Sequence, residues 1–438
     1  MITVSKNGKV MNKNNQLFSV SCIILLSCVY TYMMFWENRY VNSKVVFFLI
    51  AVLSVFTLCV SSELYLEKQG MVFIFIAIYN AIQLSFMRII TNDSIKWIET
   101  LIIYAIILIA FTNCFQKNGV SHHAIEIPLT VLSVFFVFGI YLQKLFPDLT
   151  DRINSIFLTR DSIIYNHTFF RWGYYCGFSG LTFVSGLNCM VFGIFQLDRA
   201  MSKELNIAKR ILCFICVLLA LYGTILVQKR GLFISTLVCI IVYVLLKAEN
   251  KKSLFVSATL ISVIAAICYF LLNSSESGAL FLWRSFEKKD LTSGREVMWS
   301  TLIEKSKDAL ITGYGPASVT ALYAGDAHNI YLQVLYENGL IGLGLYLIFF
   351  GLNLVTSYHC IRLGNKLARI GVAIQIAILV YGFTGNPLTD IFIFLLYLLA
   401  STIGYLQTSS PACLKEKEPI KYKYIKNGLG EKRWKRSA

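Results

Sequence analysis

Charged residues are scarce in this chain: only 15% of its 438 residues are Asp, Glu, Lys or Arg, whereas a soluble domain of this size would carry about a quarter. Hydrophobic residues make up 56% of the sequence, and the mean hydropathy is +0.64. Apolar runs such as 17–36, 71–90 and 254–272 are long enough to cross a bilayer as helices, which takes roughly 20 residues. The composition therefore excludes a soluble globular protein and predicts an integral membrane protein.

Cysteines are absent from the long polar segment 273–327, and nearly all of the 12 cysteines fall inside apolar runs. This distribution excludes a disulfide framework in that segment and indicates that the cysteines pack as small hydrophobic residues. Cys213 and Cys216 form a CxxC pair, but the pair lies within a predicted membrane helix without partner ligands. Clusters of Asp, Glu and His at metal-ligand spacing are also missing, so the sequence predicts no metal and no other cofactor.

The chain has fewer acidic than basic residues: it contains 24 Asp and Glu and 40 Lys and Arg, which gives a net charge of +16. Such an excess can indicate nucleic-acid binding, but here much of it lies in short loops and in the tail after Pro411. Basic residues beside membrane helices set their orientation and attract anionic headgroups. The distribution therefore favours contact with membrane lipids and argues against a nucleic-acid partner.

The hydropathy pattern predicts an all-α polytopic membrane protein with about twelve transmembrane helices in a single domain, 1–410, and a basic tail, 411–438. The predicted spans are 17–36, 45–61, 71–90, 97–115, 127–146, 174–195, 209–227, 231–246, 254–272, 330–357, 369–384 and 390–407. The first run ends in bulky residues rather than at a small-residue cleavage site, so it is interpreted as a retained helix. No internal repeat is visible, and the inverted halves of many transporters are therefore not indicated.

The positive-inside rule predicts that both termini are cytoplasmic. With that orientation most of the basic residues lie on the inner side, including those of the tail. The short turns on the outer side hold only a few: Arg39, Lys44, Lys96, Lys229 and Arg230. The two longest loops, about 147–173 and 273–329, then face outward.

The second of these loops contains several helix signals. Ser293 followed by Glu296 has the pattern of a capping box, which predicts a helix from this point to about Leu310. Arg295 then falls in the first turn, where the helix dipole does not favour a cation, and this placement suggests a functional role. The segment 313–316, Gly-Tyr-Gly-Pro, ends the helix and turns the chain back.

His328 lies where the same loop re-enters the membrane, at the predicted start of a helix. A neutral imidazole there can accept a proton near neutral pH, and a helix N-terminus disfavours its cation. The spacing alone leaves two interpretations open, a general base and an interfacial histidine bonded to the backbone. Asp326 is either a partner that orients the imidazole or a solvated loop residue.

Arg295 with Trp299, the Gly-Tyr-Gly turn, the His-Asn pair at His328 and the Glu-x-Gly-x-x-Gly pattern at 337–342 follow one another in order. Together they resemble the signature loop shared by O-antigen polymerases and O-antigen ligases, which are bacterial membrane glycosyltransferases. The resemblance implies a glycosyltransferase-C-like fold. It also implies a multi-pass protein of the bacterial inner (cytoplasmic) membrane.

Two further elements of that family have counterparts here. The run Gln-Lys-Arg-Gly at 228–231 resembles an arginine at the outer end of a hairpin between two membrane helices. Arg171, in Phe-Arg-Trp-Gly, resembles the start of a third element, although the Asn-rich continuation is missing. The resemblance implies that His328 is the general base and that Arg230 and Arg295 bind the substrate pyrophosphate, with Arg171 as a candidate third ligand.

The reaction implied by the resemblance is the transfer of a glycan from undecaprenyl pyrophosphate to a sugar hydroxyl at the outer face of the membrane. Arginine suits the leaving group because its guanidinium binds phosphate bidentately and stays charged. One base is enough to take the proton of the acceptor hydroxyl. The expected partners are undecaprenyl-pyrophosphate-linked glycans and membrane lipids, together with a chain-length regulator and a flippase.

Three functions stay open at this point. The motifs at 313–315 and 337–342 favour a polymerase that joins oligosaccharide repeat units into O-antigen or capsular polysaccharide. A ligase that transfers the glycan to lipid A core or to protein uses the same chemistry. A polysaccharide or lipid transporter belongs to another class, and transporters place their charged residues near the midplane of the membrane, whereas the candidates here gather at the predicted outer interface.

Overall fold

The computed structural model describes residues 13–87, 90–248, 250–287, 294–323, 325–406, 422–426 and 432–436. These ranges contain seventeen α-helices: α1 (Lys13–Phe35), α2 (Ser43–Val60), α3 (Lys68–Leu84), α4 (Asn92–Gln116), α5 (His123–Leu145), α6 (Pro147–Phe157), α7 (Arg160–Arg171), α8 (Thr182–Ala200), α9 (Ile207–Leu226), α10 (Arg230–Lys247), α11 (Lys251–Ser274), α12 (Glu276–Leu282), α13 (Glu296–Ser306), α14 (Ser318–Tyr323), α15 (Ile330–Arg362), α16 (Lys366–Tyr381) and α17 (Ile391–Thr402). In the tail, β1 (Tyr422–Lys426) and β2 (Lys432–Arg436) pair antiparallel.

Each of the twelve predicted spans overlaps one of these helices, namely α1–α5, α8–α11 and α15–α17, but α3 ends at Leu84 and α8 begins only at Thr182, inside the predicted spans 71–90 and 174–195. Within the described ranges, eight helices are long and apolar enough to cross a membrane. Two shorter apolar helices, α3 and α17 with its 3-10 extension, add to them. The prediction of an all-α polytopic membrane protein is therefore confirmed, and the small strand pair is confined to the tail.

The bundle has buried central helices and apolar peripheral ones. Almost every residue of α8 and α17 is buried, whereas α2 and α11 expose large side chains such as Phe48, Phe255 and Phe270. Exposed apolar side chains of this kind match a hydrocarbon environment, in which every backbone polar group must also be satisfied inside its own helix. The sequence therefore folds into long helices with a lipid-compatible surface.

Polar side chains begin many of the helices. An Asn, Asp, Ser or Thr at the N-cap accepts a hydrogen bond from a backbone N–H of the first turn, as expected of such caps. These N-cap residues are Asn42, Thr91, Thr159, Asn206, Ser275, Asn329, Asn365 and Asp390. The helix starts are thus fixed locally by the sequence.

The predicted outer segments meet at one end of the bundle. The turn between α1 and α2 pairs with the turn between α6 and α7, where Arg39 N donates to Phe157 O over 2.8 Å. Tyr175 N, which follows α7, donates to Leu226 O at the end of α9 over 3.1 Å. At the opposite end Lys366 pairs with Glu204 at 3.2 Å. In these contacts, segments predicted on the outer side bond to each other, and the two residues predicted on the inner side pair with each other.

Helix α15 is broken at Gly339, whose φ of +65° and ψ of −166° are not helical. The segment that follows α13 lies across this break and bonds to its backbone. Tyr314 N donates to Tyr336 O over 2.9 Å, and Leu340 N donates to Leu310 O over 2.8 Å. The backbone groups released by the break are therefore satisfied by the outer loop, which is fastened to the membrane domain at this point.

Helix α3 covers the break from the other side with a row of polar side chains. The hydroxyl of Tyr79 donates to Asn338 O over 3.0 Å, and Asn338 Nδ2 donates to the amide oxygens of Asn80 and Gln83 over 2.8 and 2.6 Å. Gln83 also donates to the carbonyl of Thr312 in the crossing segment. Three parts of the chain that are far apart in sequence thus meet at Gly339.

Substitution of Gly339 tests whether the break in α15 is required for the stability of the fold. Its backbone lies in a region that only glycine adopts readily, and a Cβ there would lie 2.3 Å from the carbonyl oxygen of Ile311. Gly339→Ala should therefore lower stability by about 3 kcal/mol or more, from strain plus the forced separation of the two segments. Thermal unfolding of the purified protein in detergent measures the loss.

Gly344→Ala is the matched control, because Gly344 lies in the same helix and a Cβ added there meets nothing within 4 Å. This change should leave the unfolding temperature unchanged or raise it slightly, since alanine favours helix. Equal unfolding temperatures for both variants would show that the break is not a structural constraint.

Candidate active site

His328 lies in the loop that leads into α15, and its φ of +52° is left-handed. Residues other than glycine rarely adopt this conformation, so their surroundings must hold it. Ala327 N donates to Gln333 Oε1 over 3.2 Å, and Ala327 O accepts from Trp299 Nε1 over 2.8 Å. Asn329 caps the first turn of α15 on the other side. The backbone that carries the imidazole is therefore fixed on both sides, and Trp299 of the sequence motif is one of the residues that fix it.

The electrostatic surroundings keep His328 neutral. Its side chain is reached by solvent, but the neighbouring loops remove water from part of it, and this desolvation together with the positive charges of Arg295 and Lys229 lowers its pKa to about 4. Well above that pH the ring carries no charge and has a free nitrogen lone pair. The prediction from the helix N-terminus thus agrees with the structure in direction, although desolvation and two cations are the larger causes.

Arg295 directly precedes α13 and is its N-cap residue. The predicted capping box is therefore wrong in position, because the helix starts three residues after Ser293, which lies outside the described residues. Arg295 Nη1 donates to Thr384 O over 3.3 Å. Ile330 N, which starts α15, donates to Gly382 O in the same turn over 2.9 Å. One turn after α16 therefore contacts both the arginine and the segment that carries the histidine.

Arg230 is the first residue of α10, and Lys229 is its N-cap residue. A Cβ on Gly231 would lie 1.9 Å from Thr384 Oγ1, so only glycine allows α10 to approach the turn that accepts the Arg295 hydrogen bond. The close packing of α10 against this turn thus explains why glycine follows Arg230 in the sequence motif. The structure brings Gly231, the side chain of Arg295 and the segment that follows His328 to one turn, that of 382–384.

The sequence analysis missed Arg284, which lies in a π-helical turn after α12. Its guanidinium lies 4.4 Å from the ring centroid of Tyr174 and donates to Gln228 Oε1 over 3.4 Å and to the carbonyl of Trp172. Its own carbonyl accepts from Arg230 Nη1 over 3.3 Å. Arg284 therefore joins both long outer loops to the α9–α10 hairpin, and only the tertiary fold distinguishes it from other loop arginines.

Arg171 stands apart from this arrangement. It is an exposed residue in the last turn of α7, where a cation complements the helix dipole. Its neighbour Trp172 reaches the cluster through the carbonyl that accepts from Arg284. The structure thus brings the segment of Arg171 to the site, while Arg284 supplies the guanidinium at the point of contact.

Asp326 bonds to the turn before α17. Its carboxylate accepts a hydrogen bond from the hydroxyl of Thr389 over 2.9 Å. Burial raises the pKa of Asp326, and hydrogen bonds from Thr389, Gln333 and Asn386 oppose this shift. Of the two interpretations that the sequence left open, neither the orienting partner nor the solvated loop residue fits, because Asp326 belongs to a half-buried polar group beside the loop of His328.

The cluster of Lys229, Arg230, Arg284, Arg295 and His328 combines fixed positive charge with a neutral proton acceptor. Burial and the charge of Arg295 lower the pKa of Lys229, which shows how closely these cations are held. Such a group can bind a polyanion and accept a proton beside it. Within the described residues, no three His, Cys, Asp or Glu side chains are placed to hold a metal ion.

Comparison with known proteins supports the resemblance drawn from the motifs. Residues 215–347 match a family model described as O-antigen ligase. No curated protein matches the chain. The matched stretch runs from α9 into α15 and contains four of the cations and His328, whereas Arg171 precedes it. Residues 215–347 of this chain thus carry the domain of the O-antigen polymerase and ligase superfamily.

Proposed function

We propose that this protein polymerises undecaprenyl-pyrophosphate-linked oligosaccharide repeat units into O-antigen or capsular polysaccharide at the outer face of the bacterial inner membrane. One observation carries the proposal: a neutral His328 lies within electrostatic range of Arg295 and Lys229, at the end of the bundle where both long outer loops meet. A base and an anion-binding group in one place are what transfer from a pyrophosphate requires.

The side chains have distinct tasks in this reaction. His328 takes the proton from the acceptor hydroxyl as its oxygen bonds to the anomeric carbon of the donor. The bond between that carbon and the pyrophosphate oxygen breaks, and undecaprenyl pyrophosphate leaves with the electron pair. Arg230, Arg284 and Arg295 stabilise the negative charge that develops on it, since guanidinium groups bind phosphate oxygens bidentately. Arg171 is proposed as a further ligand of the pyrophosphate, at the edge of the cluster.

The cluster is proposed to face the outside of the cell. Cytoplasmic termini are proposed because most basic residues of the short segments then lie on the inner side, as the positive-inside rule requires. A lipid-linked substrate presented at the outer leaflet could then reach the cluster from the bilayer. A flippase would deliver the substrate, and a chain-length regulator would limit the product.

The polymerase is proposed over the ligase because of the motifs at 313–315 and 337–342. In the structure these motifs form the crossing at the break in α15, so their support for a polymerase is a family pattern and not a contact with substrate. The ligase differs only in its acceptor, which would be lipid A core or a protein. A single experiment on cells separates the two.

Loss of His328 should abolish chain extension while the protein still accumulates in the membrane. His328→Ala removes the general base, which costs about two to four orders of magnitude in rate, but it removes no contact of the membrane core. The polysaccharide ladder of cells that lack the native gene, run beside a membrane-expression blot, measures the effect. His359→Ala is the matched control, because His359 lies in the last turn of α15, at the end opposite to the one that follows His328.

The form of the ladder identifies the reaction. A polymerase defect leaves single repeat units on the final acceptor, whereas a ligase defect leaves long chains on undecaprenyl pyrophosphate. Long lipid-linked chains would therefore assign the protein as a ligase. A normal ladder from His328→Ala, at normal protein level, would contradict a catalytic role for this residue.

The pH dependence of the reaction should report the cations around His328. The base works in its deprotonated form, so kcat/KM should fall only as the pH approaches about 4. Lys229→Gln removes a positive charge that disfavours the imidazolium, which raises the pKa of His328 and moves the acidic limb to higher pH. The position of the acidic limb is the readout, because the loss of one cation of the cluster lowers kcat/KM by a similar factor across the neutral range.

Lys305→Gln provides the control, since Lys305 is an exposed lysine of the same outer loop and does not contribute to the lowered pKa of His328. Its pH profile of kcat/KM should coincide with that of the wild type. Coinciding profiles for wild type and Lys229→Gln would show that His328 is not the titrating base.

A further inference from the structure

The side chain of Gln333 lies in the first turn of α15, next to the loop that carries His328, and is only 4% exposed. Its amide oxygen accepts hydrogen bonds from Ala327 N over 3.2 Å and from the side-chain amide of Asn386, in the segment between α16 and α17. Its amide nitrogen donates to Glu337 Oε1, one helical turn further along α15, over 3.1 Å. This buried amide is therefore bonded at both ends, and one of its partners is the residue directly before His328.

The direction of these hydrogen bonds is determined by backbone donors. A backbone N–H can only donate, so the atom of Gln333 that faces Ala327 N must be the oxygen, and the nitrogen is then turned towards Glu337. Glu337 Oε1 also accepts from Val319 N in α14 over 3.3 Å. An apolar side chain or an ionised carboxylate at position 333 cannot both accept from Ala327 and donate to Glu337, whereas glutamine can.

The contact with Ala327 matters because the backbone of the next residue is strained. His328 has a left-handed φ of +52°, which residues other than glycine adopt only where their surroundings impose it. Ala327 is fully buried, and its carbonyl oxygen accepts from Trp299 Nε1 over 2.8 Å while its N–H donates to Gln333. The side chain of His328 is itself exposed. Its direction is therefore set mainly by the backbone that Gln333 and Trp299 hold.

The segment between α16 and α17 connects this loop to the arginine cluster. Thr389 Oγ1 donates to the carboxylate of Asp326 over 2.9 Å and to Asn386 O over 3.3 Å. A few residues earlier in the same segment, Thr384 O accepts from Arg295 Nη1 over 3.3 Å. One short segment thus bonds to the loop of the histidine and to a guanidinium of the cluster, so it fixes the distance between them.

We propose that Gln333 is a positioning residue of the glycosyl transfer: its amide holds Ala327 in place and thereby keeps the imidazole of His328 beside Arg295. The inference rests on the proposed function and adds a residue that the reaction needs although it does not touch the reacting groups. The oxygen and the nitrogen of the amide are both bonded to protein groups. Gln333 therefore acts through the loop and not on the substrate.

Kinetics of the full-length protein reconstituted in liposomes test this role. Gln333→Met nearly keeps the length of the side chain and removes all three hydrogen bonds. The kcat should fall about 10- to 100-fold, because a displacement of about 1 Å at a catalytic group can cost that much in rate. The KM for the lipid-linked donor should change by less than about twofold, because the variant leaves the guanidinium groups in place.

Gln375→Met is the matched control. Gln375 is fully buried in α16, and its amide nitrogen donates to Ser357 Oγ over 2.9 Å and to Ala400 O over 3.2 Å. Ser357 lies roughly 40 Å along α15 from Ile330, at the rise per residue of an α-helix. This variant removes a buried amide of the same kind, so it should lower stability without a change in kcat. An equal fall in kcat for both glutamine variants would contradict a positioning role.

Gln333→Glu tests the direction of the hydrogen bonds. A carboxyl group at this position can still accept from Ala327 N, but it can donate to Glu337 only while the two carboxyl groups share a proton. Asp326 adds a third acidic group nearby. The kcat of this variant should approach that of the wild type at about pH 5.5 and fall as the proton is lost towards about pH 8. A pH dependence of kcat equal to that of the wild type would show that the donated bond is not needed.

Chemical modification of His328 tests the position of the ring without turnover. Diethyl pyrocarbonate reacts with the neutral imidazole, so the rate of modification, followed by mass spectrometry, reports the pKa of His328. Desolvation and the charges of Arg295 and Lys229 lower this pKa to about 4 in the wild type. In Gln333→Met the released loop admits water and lets the ring move away from both cations, so the pKa should rise. The titration of Gln375→Met should coincide with that of the wild type.

The outcomes separate the positioning role from the proposed function. If the wild type transfers glycan while Gln333→Met keeps both the kcat and the His328 titration of the wild type, the positioning role is wrong and the proposed function stands. A higher KM for the acceptor with an unchanged kcat would mean that Gln333 binds substrate, which also overturns the role. A wild type that transfers no glycan, combined with a shifted titration in Gln333→Met, would overturn the proposed function and leave the positioning of the imidazole intact.

Discussion

The break in α15 at Gly339 is the constraint on which the arrangement of the outer loops depends. A membrane helix can be interrupted only where other groups satisfy its backbone, because lipid offers no hydrogen-bond partners. Here the segment after α13 bonds to the backbone on both sides of the break, and the side chains of α3 cover it. Tyr314 and Tyr336 stack across the crossing with ring centroids 4.7 Å apart. The loop that contains Arg295 is therefore fixed relative to the helix that begins just after His328.

The site that results concentrates positive charge at one end of the bundle. Burial, together with the closeness of Lys229 and Arg295, disfavours protonation and lowers the pKa values of Lys229 and His328. An anionic ligand would relieve this repulsion and would raise both pKa values while bound. In the proposed reaction, the affinity for a pyrophosphate and the strength of the base would therefore be coupled, because binding of the donor would make His328 a better proton acceptor.

The sequence predicted the helices of this protein better than the contacts between segments that are far apart in the chain. Apolar runs and N-cap residues such as Asn42 and Asn329 are local signals, so all twelve spans correspond to helices. His328, Arg230 and Arg295 could be proposed from the sequence because each belongs to a motif of neighbouring residues. Arg284 was missed because its importance comes from contacts with Trp172 and Gln228, more than fifty residues away.

Equilibrium binding of undecaprenyl pyrophosphate to the purified protein at pH 7 tests the central claim, that fixed arginines hold the leaving group while His328 acts only on the acceptor. The account predicts that Arg295→Lys weakens binding at least tenfold, because an ammonium group does not reproduce the bidentate guanidinium. It predicts that His328→Ala, which removes a neutral group, binds as tightly as the wild type although it transfers no glycan. Weak binding by His328→Ala together with unchanged binding by Arg295→Lys would contradict the account.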